Sequence, residues 1–326
     1  KAALRAYVAT QQLEKAEQTM KALETLTAEG GDEKAAEKLT RIYISLGYQL
    51  QRQLERLRNE NKMDQVKTVS QGFEPFLTKI SQRTEGNTFA SLNWVATTFF
   101  SMGAGFDTGG ETLAPEAEAY FRKAAETYRA ILDRAAKESD FVPATAVTSV
   151  KVQLARCFRR MRQYREALAL LLTVLKEKET VVDAQVEAAL TYQDWGQQQP
   201  EYYVFAIRGS QKYKEIWGWG NIARRVIRVP AYRNTFYDAR YNLALCRFKL
   251  ALTKKDQERA DLLKQAESDI VIVYKLYPKL GGKDEGCDEW YGKYDELLKT
   301  IQKMRGVRPD GLKAIETTPA AATASK

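Results

Sequence analysis

Histidine is missing altogether from the 326 residues, and that absence removes a large share of ordinary enzyme chemistry. Without an imidazole there is no Ser–His or Cys–His nucleophile pair, no histidine general base and no usual zinc site. An enzyme is therefore not expected, and neither is a cofactor. Cysteine is nearly as scarce, at three residues, too few for a disulfide framework. No stretch approaches the ~18 consecutive apolar residues of a membrane helix, so no membrane span is expected. The chain opens at Lys1 inside a helical pattern, without Met or signal-peptide architecture. It reads as a processed or cut product whose targeting segment is out of view. A soluble protein of a bacterial cytoplasm or cell envelope fits equally well.

What is present points to folded helices. The sequence is 44% hydrophobic and 29% charged, which is enough apolar material to fold and enough charge to stay in solution. The net charge of +9 favours acidic partners or surfaces. Ala155 and Ala189 lie 34 positions apart in matching frames. Leu154-Ala155-x-x-Phe158 recurs as Ala188-Ala189-x-x-Tyr192 and again as Leu243-Ala244-x-x-Arg247. Within 148–181 a first helix carries Leu154, Ala155 and Phe158, and a second carries Tyr164, Ala167, Leu171 and Val174. Apolar residues three and four apart give each helix one buried stripe, and alanine lets two backbones approach closely.

In these residues the chain resembles the tetratricopeptide repeat family. The resemblance extends to Leu92, Val95, Ala96 and Phe99 upstream, and downstream to Tyr241–Ala251 and to Ala266, Ile270, Val273 and the terminating Pro278. At the start, Leu4, Tyr7, Ala16, Met20 and Leu23 look like the end of one helix and most of its mate, as if further repeats preceded them. The fold this implies is all-α: a right-handed superhelix of antiparallel helix pairs, an α-solenoid of about five or six repeats. The array is expected over 1–305, clearest at 148–278, divergent at 30–82, with a capping helix at about 288–304. Residues 306–326 read as a flexible tail. The step is strict only once. Extra residues interrupt it at 252–265, at Gly196–Ala206 and in the glycine-rich loop Gly103–Ala117, and Arg247 stands where an aromatic is expected.

Two places invite recognition. Lys151, Arg156, Arg159 and Arg160 cluster on one first helix, and Asn93 and Asn242 occupy other first helices. The resemblance implies a concave face that grips an acidic peptide or a chain-terminal carboxylate. The competing reading is a solvated basic face with ion pairs to residues such as Glu166. The second place is Trp217-Gly-Trp219-Gly, followed by Arg224, Arg225, Arg228 and Arg233. It reads either as a stacking platform for sugars, nucleobases or a guanidinium, or as packing at an irregular joint, with Asn221 capping the next helix. Nucleic acid is the weaker expectation, because no reading motif accompanies the charge. Asp284, Glu285, Asp288 and Glu289 lack the spacing of a calcium loop, and GAGFDTGG lacks the Gly-Lys-Ser/Thr ending of a phosphate loop. No metal is expected. The expected role is a non-enzymatic scaffold that binds a partner protein or acidic peptide. A structural subunit that self-associates is the second reading, and a glycan- or nucleic-acid-binding module the third.

Overall fold

A computed structural model describes residues 52–82, 87–110 and 112–316, with isolated positions before residue 26. Apart from those positions, the expected helix pair at Leu4–Leu23 lies outside the described residues, as do all of 30–51 and the tail end 317–326. Among the described residues the elements are helical and there is no strand. The chain divides into two compact units, Lys1–Gln163 and Tyr164–Lys326, so the hairpin legible at 148–181 is parted at its own turn.

The first unit holds α1 (Met63–Ser81), α2 (Phe89–Phe106), α3 (Pro115–Lys137) and α4 (Ala144–Arg160). Residues 52–59 are also helical and end at Asn61, whose φ of 55° is the left-handed stop that asparagine tolerates. Thr88 starts α2 with a reciprocal cap: its hydroxyl accepts from Ser91 N–H, and Ser91 accepts from Thr88 N–H. Proline 115 at the first position of α3 loses no intrahelical bond. Helices α2 and α3 meet where Gly103 faces Phe121, and a Cβ on Gly103 would come within 2.8 Å of that ring. Leu92, Val95, Ala96 and Phe99 are all buried, as the spacing of apolar residues predicts.

The second unit holds α5 (Tyr164–Glu177), α6 (Val182–Gly196), α7 (Glu201–Arg208), α8 (Gly218–Val226), α9 (Arg233–Leu252), α10 (Asp256–Leu276), α11 (Tyr291–Met304) and the short α12 (Lys313–Glu316). Ala155, Ala167, Ala189, Ala244 and Ala266 all have zero exposure, so the small residues that mark the period do sit in helix seams. Helices α9 and α10 fold back on each other through Thr253–Lys255. The additional residues there lengthen the two helices rather than loop out. Arg247, in place of an aromatic, forms an ion pair with the buried Asp269 of α10, which Arg240 also approaches at 3.6 Å. Its charge is thus matched inside rather than carried out to water.

Helix α8 falls between the α7 and α9 positions of the expected array, where it packs on α6, α7 and α9. The expected capping helix, α11, begins at Tyr291 rather than at 288. The segment after Gly306 is not loose throughout, contrary to the expected tail. Gly311 N–H donates to Gln302 at 2.8 Å, Leu312 N–H donates to Asp295 at 2.8 Å, and Leu312 is fully buried.

Candidate basic interface

The basic residues of α4 are mostly engaged within the first unit. Arg159 is buried, at 7% exposure, which corrects the expected shared open face of Arg156, Arg159 and Arg160. Val152, Ala155 and Arg159 follow the i, i+3, i+7 spacing of one helix stripe, and the first two are buried; Arg159 therefore continues the core side. Arg160 pairs with Asp107 at 3.1 Å, just past the end of α2. Arg162, left-handed at φ 61°, donates to the Gly110 carbonyl at 2.7 Å. The two guanidiniums hold the glycine-rich loop 107–110. Lys151 and Arg156 are half-exposed, and Arg156 lies 3.4 Å from Gln153 Oε1. Asn93 is half-buried on α2.

Asn242 cannot serve a peptide backbone as expected. It is buried, accepts from Gln193 at 3.0 Å, and donates to the carbonyl and carboxylate of Asp238 at 3.0 and 2.9 Å. Its whole amide is committed to the interior.

Nor does the Trp217–Gly220 string form an open platform. Trp217 is 5% exposed and Trp219 is fully buried. Two glutamines on α6 explain the burial. Gln185, with zero exposure, donates to the carbonyls of Glu179 and Glu215 at 2.9 and 2.6 Å and accepts from Trp217 N–H at 2.9 Å. Gln193 accepts from the indole of Trp219 at 2.8 Å and from the thiol of Cys246 at 3.1 Å. Burial first, then Asp194, pushes the Cys246 thiol well above its ordinary range, so it stays protonated and can donate. The indole of Trp217 donates to the Glu179 carboxylate. Each buried N–H thus finds an acceptor, as burial of a tryptophan requires.

The glycines of the string have their own necessity. Gly209 and Gly218 adopt φ of 87° and 67°, and their backbones touch: a Cβ on Gly209 would strike the Ile216 carbonyl, and one on Gly218 the Gly209 nitrogen. The loop 210–217 is thereby closed at its neck. Asn221 does not cap α8, since the helix begins at Gly218; its side chain donates back to the Trp217 carbonyl at 3.0 Å.

With its apolar side packed inward through Trp219, Ile222, Ala223 and Val226, α8 turns Arg224 and Arg225 to water, and Arg228 follows, also exposed. Arg225 lies 4.0 Å over the Trp217 ring and 3.6 Å from Glu179. Between Arg208 and Arg233 there are seven Lys or Arg residues and one carboxylate, Glu215, so six of the chain's nine net positive charges fall in this segment. Arg233 is the inward exception, half-buried with its guanidinium 5.2 Å over Tyr277. Beyond Arg228 comes one 3-10 turn, Pro230–Tyr232, flanked by Val229. Val229 and Tyr232 are 39% and 37% exposed, three residues apart and so on one side of such a turn.

The acidic loop near residue 286 is tied down by the chain itself. Asp284 pairs with Lys279 at 3.0 Å, Glu285 accepts from Tyr237 at 2.6 Å, and Asp288 accepts from Asn234 at 3.0 Å. Among the described residues no group of three or more Cys, Asp and Glu could hold a metal ion. A cavity of about 520 Å³ lies between α1 and α3, lined by Gln71, Glu74, Pro75, Thr78, Gln82 and Lys123. Sequence reasoning missed it. Glu74 there binds the ammonium of Lys123 and the hydroxyl of Tyr120. Burial, then Glu74, pushes the Tyr120 phenol upward, which keeps it a donor. The signal for this site is distributed over two helices with no fixed spacing, unlike the run of arginines after Trp219. No protein-family model, curated protein or solved structure matches this chain.

Proposed function

We propose that this chain is a non-enzymatic interaction scaffold, a tetratricopeptide-like solenoid of about five or six helix pairs that binds an acidic segment of another protein. The observation that carries the reading is the unequal distribution of charge. Six of nine net positive charges lie between Arg208 and Arg233; Arg224 and Arg225 are exposed there on a helix anchored from within, and Arg228 is exposed just beyond its end. Concentrated charge of one sign raises encounter rates with the opposite sign and rejects like-charged partners.

Affinity purification with the full chain tests this. The double substitution Arg224→Glu/Arg228→Glu is expected to abolish recovery of the partner, whereas Lys151→Glu/Arg156→Glu leaves most of it. Unchanged recovery with the first pair, at unchanged circular dichroism, would remove the reading.

A second reading, a subunit of a larger assembly, has one supporting observation. Ile272 and Leu276 are 48% and 61% exposed at i, i+4 on α10, forming an apolar row. Light scattering over a concentration series decides it, since a monomer at every concentration excludes self-assembly. Among the described residues no helix is long and apolar enough to cross a membrane.

A further inference from the structure

We infer that the partner's segment is a short acidic stretch carrying an apolar side chain, seated on the ridge formed by Arg224, Arg228, Val229 and Tyr232; this rests on the scaffold reading above. The ridge has two parts in sequence order. Arg224 lies in the last turn of α8 and Arg228 two residues past its end, and both are exposed. Val229 and Tyr232 follow on one 3-10 turn, closed by the Tyr232 N–H to Val229 carbonyl bond at 2.9 Å, and together expose an apolar step beside the charges. Neither part adapts easily. Pro230 fixes one φ angle, and the underside of α8 is locked by Trp219, Ile222 and Val226. A surface already held in shape loses little freedom on binding, which favours a specific partner over a diffuse counterion layer.

The same facts weigh against other polyanions. Single-stranded nucleic acid binds through successive bases on exposed aromatic faces, but Trp217 and Trp219 are buried and, among the described residues, Tyr232 is the only exposed aromatic. An anionic bilayer takes up a helix by its apolar side, and that side of α8 is already in the core. An acidic peptide needs only what is exposed: two guanidiniums for carboxylates, which accept bidentate bonds, and a small apolar step for one side chain.

The test is fluorescence anisotropy with the full chain and a labelled peptide rich in Asp and Glu around a central Leu-Phe pair. The comparison ligands are the same peptide with Gly-Ser at the centre, oligo-deoxythymidine, and phosphatidylserine-containing vesicles. The Leu-Phe peptide is expected to bind best. Arg224→Glu/Arg228→Glu should weaken it at least about tenfold. Val229→Ser/Tyr232→Ser should weaken the Leu-Phe peptide about fivefold and leave the Gly-Ser peptide unchanged. All four positions are exposed, so the fold should survive, with circular dichroism as the control. Equal affinity for the two peptides, or no effect of the Val229/Tyr232 substitutions, would overturn the apolar anchor while leaving the scaffold reading intact. Tighter binding of the oligonucleotide or vesicles, no binding of either peptide, or a Leu-Phe complex indifferent to charge reversal would overturn the inference altogether.

Discussion

On α4, Arg159 is buried and Arg160 is tied to Asp107, whereas Arg224 on α8 and Arg228 just beyond it stand in water. Both stretches are arginine-rich, and both lie at the C-terminal end of a helix packed by small and apolar residues. The difference lies in what surrounds them. The α4 arginines have a glycine-rich loop to hold, and Arg159 falls on the stripe that Val152 and Ala155 already bury. Helix α8 is short, its core side is complete without arginine, and the residues that anchor it come from α6. A guanidinium is left open to a partner when its own bonds stay local and exposed, as the one from Arg224 to Asn221 at 3.0 Å does.

The comparison can be broken first at its anchor. Trp219→Ala removes a fully buried indole and should cost about 3–5 kcal/mol, as large aromatic-to-alanine truncations do. The check is a thermal melt. If α8 is the inserted, internally anchored element described above, the ridge loses partner binding as the core loosens. Gln185→Ala should cost about 1–3 kcal/mol, since it orphans the Trp217 N–H and two carbonyls in the interior. Hydrogen exchange at the Trp217 amide would report the loss directly, and an unaltered rate would show that the glutamine is dispensable.

On the α4 side the expected effects are smaller. Arg160→Ala should change global stability by less than about 1 kcal/mol, because its ion pair is partly exposed, yet amide exchange should rise at Gly109 and Gly110. Unchanged exchange there would mean that Arg162 alone holds the loop. Smallest of all is a pH effect at Asp295. Burial works to raise its pKa, but the Lys299 ammonium and the Leu312 N–H outweigh that and hold it below the ordinary value. The folded carboxyl thus binds its proton less readily than the unfolded one. The stabilisation is present above about pH 4, the ordinary aspartate range, and is lost as pH falls through the lowered value. Limited proteolysis near residue 311 should accelerate with acidification, and less so in an Asp295→Asn variant, which lacks the titration.

Much of the helical framework was legible because it rests on local spacing. Ala155, Ala189 and Ala244 mark seams, and all are buried. Pro115 and Pro278 bracket helices as their chemistry demands. The candidate site was legible as residues but not as geometry. Arg224, Arg225 and Arg228 stood out in the sequence, yet the status of the tryptophans beside them depended on partners far along the chain: Gln185 lies 32 positions from Trp217, and Gln193 lies 26 from Trp219. No local pattern encodes such pairings. A trace was there in α6, where Gln185, Glu187 and Thr191, all buried, interrupt the alanines. Polar side chains on a helix's inward side announce that something polar will meet them. Arg159 is illegible for a simpler reason: its charge points to water, while its position continues the stripe that Val152 and Ala155 bury.

The neck where Gly209 touches Gly218 has a consequence for how this chain tolerates change in length. A loop whose two ends already meet can grow without moving what it joins, and doubling a flexible loop costs only about 0.6 kcal/mol in closure entropy. Gln211 and Lys212 at its outer side are exposed. A tag, an epitope or a small domain placed between them would ride outside the helices while α7 and α8 keep their register, making this loop a natural port for insertion.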